Sequence, residues 1–261
     1  MVKSLLKYID KKFFNNFISK SKNFFEKKIK MKKIKKEIFD TQIYYSQTND
    51  KLSQLCDKFG TDKGFVNLDK RIFYNNYHPH NYADFYSLLF DHCKNNFQNI
   101  FELGIGTNNP NIESSMGEKY KPGSSLRTWR DYFVNANIFG ADIDKNILFE
   151  EDRIKTFFVD QTNKDSIKAM WEKIGPVKMD LMIDDGIHTY EGCKIFFENS
   201  IMNLKEDGIY IIEDVDPIFL NELNEFLCKK GFITSIIKLN SSKYKFLDDN
   251  NLILVKKFHE A

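Results

Sequence analysis

No stretch of about 18 uncharged apolar residues, the length a membrane-spanning helix needs, occurs in this 261-residue chain. Cysteine is scarce and scattered. Cys56, Cys93, Cys193 and Cys228 form no CxxC pair and no metal-finger spacing, which excludes a zinc ribbon and predicts buried or idle thiols in a reducing compartment. The first residues have no signal-peptide core, because Lys7, Asp10, Lys11 and Lys12 interrupt it, so the cytoplasm is the expected address. No internal repeat is visible. The total charge of +2 conceals an asymmetry. Residues 1–39 hold thirteen lysines against Asp10, Glu26 and Glu37, a net of about +10, which leaves about −8 for the remainder. An acidic main body argues against nucleic acid as its partner.

The basic end has helical periodicity. Leu6, Ile9, Phe13, Phe17 and Phe24 recur on one face with lysines opposite, which predicts an amphipathic helix over 1–39. Such a helix docks on the domain or a second copy of the chain, or lies on anionic lipid as a peripheral contact. Residues 40–95 read as a lid or substrate segment. It has a short helix near 50–58, a turn at Gly60-Thr-Asp-Lys-Gly64, and an aromatic-rich stretch with Tyr74, Tyr77, His78, His80, Tyr82 and Tyr86. These rings either stack on a ligand or pack between the segment and the sheet.

From residue 96 to 261 strands and helices alternate. Strands are expected at 99–103, 137–142, 154–159, 181–183, 208–212, 232–239 and 252–256, with helices at 126–134, 166–174, 193–203 and 220–230. This order predicts an α/β, doubly wound, mainly parallel seven-stranded sheet with an N-terminal helical extension. About a dozen polar residues join the last two strands, too few for a parallel crossover, so the last strand is expected to be antiparallel.

Two apolar runs end in paired acids: Asp180-Leu-Met-Ile-Asp-Asp-Gly-Ile-His188 and Tyr210-Ile-Ile-Glu-Asp-Val215. In a parallel sheet, ligands bind beyond the carboxyl ends of such strands. If the two strands are neighbours, Asp184, Asp185, Glu213 and Asp214 converge. Four carboxylates share a pocket only with a cation or a shared proton. An all-oxygen set suits Mg²⁺, Mn²⁺ or Ca²⁺ rather than zinc. His188 is placed to act as a base; the alternative is a structural histidine bonded to a carboxylate.

Glu102-Leu-Gly-Ile-Gly-Thr107 ends the first of these strands, and its glycines suit close approach to a nucleotide-like ligand. A third glycine is missing, because position 109 is Asn, and residues 108–123 form a long polar insert; both disfavour a pyrophosphate and hence NAD. Asp142 ends the next strand, where a carboxylate can take both hydroxyls of a ribose. Asp160 and Gln161 can border an adenine, or Asp160 and Thr162 can cap a helix. Trp129 is expected in the core. Arg127 reaches either a cofactor carboxylate or an acidic neighbour.

With these motifs in order, the chain resembles the class I S-adenosylmethionine-dependent methyltransferases. More narrowly, Phe59-Gly-Thr-Asp-Lys63, Ser124-Ser-Leu-Arg-Thr-Trp-Arg-Asp-Tyr-Phe133, Val159-Asp-Gln161, Asp184-Asp-Gly-Ile-His188 and Ile212-Glu-Asp214 resemble the metal-dependent sugar O-methyltransferases. Those act on macrolide deoxysugars, as in mycinamicin biosynthesis, with relatives in bacterial surface-polysaccharide clusters. The resemblance implies S-adenosylmethionine and Mg²⁺ (or Mn²⁺) as cofactors, with metal held by Asp185, Glu213 and Asp214. Catalysis falls to His188 and Asp185. Cofactor contacts are implied at Glu102, Gly104, Gly106, Thr107, Ser125, Asp142, Asp160, Gln161 and Asp184. It further implies a sugar or nucleotide-linked sugar as acceptor, no nucleic acid, and a homo-oligomer. Two departures stand out: Ile187 replaces a Ser common before that His, and the 108–123 insert lies near the cofactor. The alternatives are a small phosphorylated or phenolic acceptor, or a non-enzymatic scaffold of the same fold.

Overall fold

The computed structural model describes residues 40–45, 50–66, 80–112, 115–117, 120–241 and 248–258. The helix expected over 1–39, and Tyr74, Tyr77 and His78, lie outside them.

Seven strands form where the apolar runs predict them. They are β2 (Asn99–Leu103), β3 (Asn137–Asp142), β5 (Ile154–Phe158), β6 (Met179–Asp184), β7 (Leu204–Ile212), β8 (Ile233–Ser241) and β9 (Asn251–Lys256). Among the described residues two further edge strands join these seven. β1 (Asp40–Tyr45) adds a parallel edge on β8, and β4 (Glu150–Glu151) an antiparallel edge on β5. The sheet order is β1-β8-β9-β7-β6-β2-β3-β5-β4. As expected, β9 runs antiparallel, here to both β7 and β8.

Among the described residues six α-helices accompany the sheet: α1 (Lys51–Phe59), α2 (Tyr82–Phe90), α3 (Ser124–Tyr132), α4 (Lys164–Ile174), α5 (Tyr190–Ser200) and α6 (Pro217–Lys229). Their starts follow local chemistry. Asn163 accepts the Asp165 and Ser166 N–H groups, Thr189 accepts Gly192 N–H, and Asp216 accepts Ile218 N–H ahead of Pro217 at the first turn. Each cap satisfies donors that the helix itself leaves unpaired.

Period-2 alternation in the strands divides the interior into two layers. Leu181 and Ile183 of β6 join one layer, with Leu52 and Leu55 of α1, Tyr86 of α2, and Leu126 and Trp129 of α3. Met182 joins the other, with Trp171 of α4, Phe196 and Phe197 of α5, and Leu223 and Leu227 of α6. Each fully buried side chain of this size stabilises by about 1.5–3 kcal/mol. Residues 50–66 and 80–90 therefore belong to the same core as the sheet.

From β2 the chain winds through β3 to β5, then returns to place β6 on the other side of β2. That reversal leaves a crevice at the carboxyl ends of β2 and β6, where open α/β sheets bind ligands.

Candidate active site

Backbone pairing sets the site. Leu103 lies beside Asp184, and Asp184 beside Ile212. The ladder runs one step further, with Asp185 N–H donating to Leu103 O (2.9 Å) and Glu213 N–H to Asp184 O (3.0 Å). The two acidic strand ends are thus neighbours. Gly104 explains their closeness to β2: at φ +80°, a Cβ there would stand 1.8 Å from Asp185 O. His188 and Asp214 hold φ of +52° and +50°. Non-glycine residues in this region carry strain that gathers at functional sites.

Asp185 has two differently occupied oxygens. Its Oδ2 accepts from the Lys63 ammonium at 2.5 Å, and its Oδ1 lies 3.1 Å from His188 Nε2. Lys63 is buried and also pairs with Glu213, and it stands 3.2 Å from Glu102 Oε1. Burial opposes charge on Lys63, but Asp185, Glu213 and Glu102 outweigh it and hold the ammonium well above the usual lysine range. Burial likewise works against the Asp185 carboxylate, yet Lys63 and His188 bring it down to about 2. Burial pushes Glu213 up against the opposing charge of Lys63, with added like charge from Asp185, Glu102 and Asp214.

Both Glu213 oxygens are taken from the N-terminal side, Oε2 by Lys63 and Oε1 by Tyr86 Oη at 2.5 Å. Tyr82 Oη donates to Asp214 Oδ1 and accepts Asp214 N–H. His80 stacks on the Tyr82 ring with centroids 4.6 Å apart. Its Nδ1 lies 2.9 Å from Asn250 Oδ1, which assigns the hydrogen to Nδ1 and turns Nε2 to within 3.5 Å of Asp214. Of the ring cluster, the described members His80, Tyr82 and Tyr86 thus pack in the interior and also brace the acids.

His188 lies 3.9 Å from Asp214 Oδ2. Burial disfavours its charge, but the Asp185 hydrogen bond and the Asp214 charge raise it to about 10. In this form the imidazole is cationic at neutral pH, so accepting a proton requires positive charge elsewhere in the cluster. Among the described residues, Asp185, His188 and Asp214 offer ligand atoms within 4.8 Å of one another. A carboxylate pair with an imidazole beside it fits a hard divalent cation.

The β2–β3 side is built from backbone contacts. Asp142 accepts Ile105 N–H on Oδ2 and Asp144 N–H on Oδ1, both at 2.9 Å. Each oxygen keeps a second lone pair, which is what a vicinal diol needs. Burial raises the Asp142 pKa, and these N–H groups oppose the rise. Thr107 Oγ1 donates to Asp144 Oδ2 at 2.6 Å. Gly106 has φ +78°, and a Cβ there would meet the Tyr120 ring at 2.4 Å, so Tyr120 covers the glycine turn.

Other residues from the sequence reading face inward. Glu102 accepts Ser125 Oγ at 2.7 Å and Trp129 Nε1 at 3.2 Å, with its pKa pushed by burial to about 7. Asp184, raised by burial to about 7, accepts Gln161 Nε2 and Tyr210 Oη. Gln161 Oε1 accepts Ile187 N–H at 2.8 Å. Asp160 Oδ1 accepts both N–H and Oγ1 of Thr162 in a local turn; the cap of α4 is Asn163, not the expected Asp160 or Thr162. Arg127 forks onto Glu151, the acidic-neighbour alternative.

No family model matches the chain. It is 30% identical over 138 residues to a demethylmacrocin O-methyltransferase of Streptomyces fradiae, covering 52% of this chain and 32% of that protein. It is 28% identical over 167 residues to the mycinamicin VI 2''-O-methyltransferase of Micromonospora griseorubida, covering 63% and 36%. A rhamnosyl-tetracenomycin-C 2'-O-methyltransferase of Streptomyces olivaceus is 27% identical over 140 residues, covering 54% and 34%. The chain thus spans about a third of the length of these curated relatives. Among solved structures it is similar to the MycE methyltransferase of the mycinamycin pathway, determined with Mg and SAH. The TM-score is 0.55 at 20% identity, over 81% of this chain and 55% of that one. The chain has the class I methyltransferase fold, and its relatives are sugar O-methyltransferases of the mycinamicin, macrocin and tetracenomycin type.

Proposed function

We propose that the chain is an S-adenosylmethionine-dependent, divalent-metal-assisted O-methyltransferase acting on a sugar hydroxyl. The observation that carries the reading is the junction of an open acidic pair and an imidazole, Asp185, Asp214 and His188, with the diol-ready carboxylate Asp142 on the same sheet edge. A sugar hydroxyl is a poor nucleophile, with a pKa far above 7. A divalent cation, when bound, supplies Lewis acidity that lowers this pKa and orients neighbouring oxygens. Asp185 and Asp214 would hold it. His188 accepts the hydroxyl proton through the ring nitrogen that is not bonded to Asp185, and Asp185 Oδ1, 3.1 Å from Nε2, orients that imidazole. Asp142 holds the cofactor ribose, so that the chain positions the sulfonium methyl for in-line transfer.

For the acceptor we favour a nucleotide-linked or glycan intermediate of bacterial surface polysaccharide. Its support is a chain rich in Lys, Asn, Ile and Phe, typical of an A+T-rich genome. The basic segment 1–39 would serve as a docking element for a second copy or for anionic lipid. The deciding experiment is calorimetric titration with S-adenosylmethionine and with NAD, with and without Mg²⁺, followed by methyl transfer to nucleotide-sugar acceptors. Binding of S-adenosylmethionine and Mg²⁺-dependent sugar methylation are expected. Binding of NAD alone, or methylation only of phenolic acceptors, would replace the reading.

A further inference from the structure

The turn between β6 and α5 carries His188, and the chain holds this turn at three points. At its start Asp185 N–H donates to Leu103 O of β2 at 2.9 Å. At its end Thr189 caps α5 by accepting Gly192 N–H. Between them Ile187 N–H donates to Gln161 Oε1 at 2.8 Å, and Gln161 comes from the loop after β5, 26 residues away in sequence. The other end of the same amide, Nε2, donates to Asp184 Oδ1 at 3.0 Å, and the second Asp184 oxygen accepts Tyr210 Oη at 3.2 Å. Gln161 is 6% exposed and Asp184 1%. The amide therefore ties the turn to a buried carboxylate at the end of β6.

Two glycines are shaped to this arrangement. A Cβ on Gly186 would stand 2.0 Å from Gln161 Oε1. The Gly186 backbone lies outside the left-handed region, so contact rather than conformation requires glycine there. A Cβ on Gly192 would stand 2.3 Å from Ile187 Cγ2, so α5 receives the Ile187 side chain closely. His188 itself holds φ +52°, a conformation that persists in a non-glycine residue only where its surroundings over-determine it.

We propose that Gln161 is a positioning residue, a buried amide clamp that holds the turn at Ile187 and so sets the backbone and ring of His188. The clamp needs no ligand. Its bearing on methyl transfer rests on the reading above, in which His188 takes the hydroxyl proton. Misplacing a reacting group by about 1 Å costs on the order of 10²-fold in rate, so a turn held at Ile187 matters to turnover more than to cofactor binding.

The test is amide hydrogen exchange, read by nuclear magnetic resonance on the full chain without cofactor or metal. Thermal unfolding is the folding control, and Gly104 N–H, bonded to Ala141 O at 2.8 Å, is the internal reference. Gln161→Met removes both amide bonds at similar side-chain length. It is expected to speed Ile187 N–H exchange by about tenfold or more relative to Gly104. Calorimetric affinity for S-adenosylmethionine should stay within about threefold, while kcat falls by about tenfold or more. Gly186→Ala should reproduce this pattern by displacing the amide. In a Gln161→Ala background it should add little to the exchange rate, because the oxygen it would meet is gone. Unchanged Ile187 exchange in a folded Gln161→Met variant would overturn the clamp, as would additive effects of Gly186→Ala and Gln161→Ala. A tenfold or larger loss of cofactor affinity with unchanged exchange would make the amide a cofactor contact instead. If Gln161→Met does not fold, exchange in Gly186→Ala decides. Absence of methyl transfer by the unaltered chain would remove the functional reading alone, because exchange reads the clamp in the free protein.

Discussion

At the ends of β6 and β7, carboxylates are held by side chains from far away in sequence. Lys63, His80, Tyr82 and Tyr86 brace Asp185, Glu213 and Asp214. At the ends of β2 and β3, Asp142 is held by backbone N–H groups of two adjoining turns. The first region concentrates charge in a low-dielectric pocket, where unpaired groups are costly and a cation has large leverage. The second presents neutral donors and spare lone pairs, suited to recognising hydroxyls without large charge changes. On the proposed reading the first serves chemistry on a proton and the second serves binding. Substitutions in the two should therefore separate turnover from affinity.

The sharpest break is at the acid cluster. Chelation by EDTA is expected to abolish methyl transfer, with Mg²⁺ or Mn²⁺ restoring it, and Asp185→Ala to remove activity and metal dependence together. His188→Ala should lower kcat by about 10²–10⁴, the usual weight of a general base. Its S-adenosylmethionine affinity should stay that of the unaltered chain. Full turnover in EDTA, together with an unimpaired His188→Ala, would leave proximity alone as the source of rate. The region would then be a structural ion-pair network.

Asp142→Ala should do the reverse. Loss of a carboxylate that bonds hydroxyls weakens cofactor binding by about 1.5–3 kcal/mol. Saturating cofactor should recover much of the turnover. Part of the loss belongs to the turns, because Ile105 and Asp144 N–H lose their acceptor. Asp142→Asn keeps one acceptor oxygen and so one of the two backbone bonds, and should lose less than Asp142→Ala. Unchanged calorimetric affinity in a folded Asp142→Ala protein would detach this carboxylate from the ribose.

The contrast between regions also shows what the sequence can reveal. β6 and β7 were legible because each is an apolar run closed by paired acids, a local pattern. Their adjacency was a condition of the sequence reading, and the β6–β7 pairing supplies it. Local patterns also placed Asp142. The bracing residues were not legible in the same way. Lys63 sits in a polar turn, and nothing near it in the chain indicates burial at 2% exposure. The available signal was charge balance: converging carboxylates demand a cation, and an internal lysine is one way to meet that demand. His80, Tyr82 and Tyr86 could be read as packing or as ligand-stacking rings, and the structure gives their polar atoms a bracing task. β1 and β4 escaped for simpler reasons. Asp40-Thr-Gln-Ile-Tyr-Tyr45 has little apolar alternation, and Glu150–Glu151 is too short for any periodicity. Glu102 and Ser125, expected at the cofactor, bond to each other where a strand end and a helix start meet.

A third charged contact, outside both regions, calibrates how much burial matters. Arg127 of α3 forks onto Glu151 of β4 with distances of 2.6–3.1 Å, geometry as good as any in the acid cluster, but the Glu151 side chain is 36% exposed. The Arg127 hydrogen bonds, reinforced by its charge, hold the Glu151 carboxyl below its ordinary range. A depressed folded-state pKa adds stability that is present above the unfolded-state value, about 4.3 for glutamate. It is lost as pH falls through the lower, folded-state pKa. Solvent screening reduces its size. Glu151→Gln should cost about 0.2–1 kcal/mol at pH 7 by thermal unfolding, and the difference should vanish in acid. A loss of about 3–5 kcal/mol, the scale for breaking a buried pair, would show that exposure does not separate this contact from the Lys63 cluster. The comparison between the regions would then rest on ligand chemistry alone.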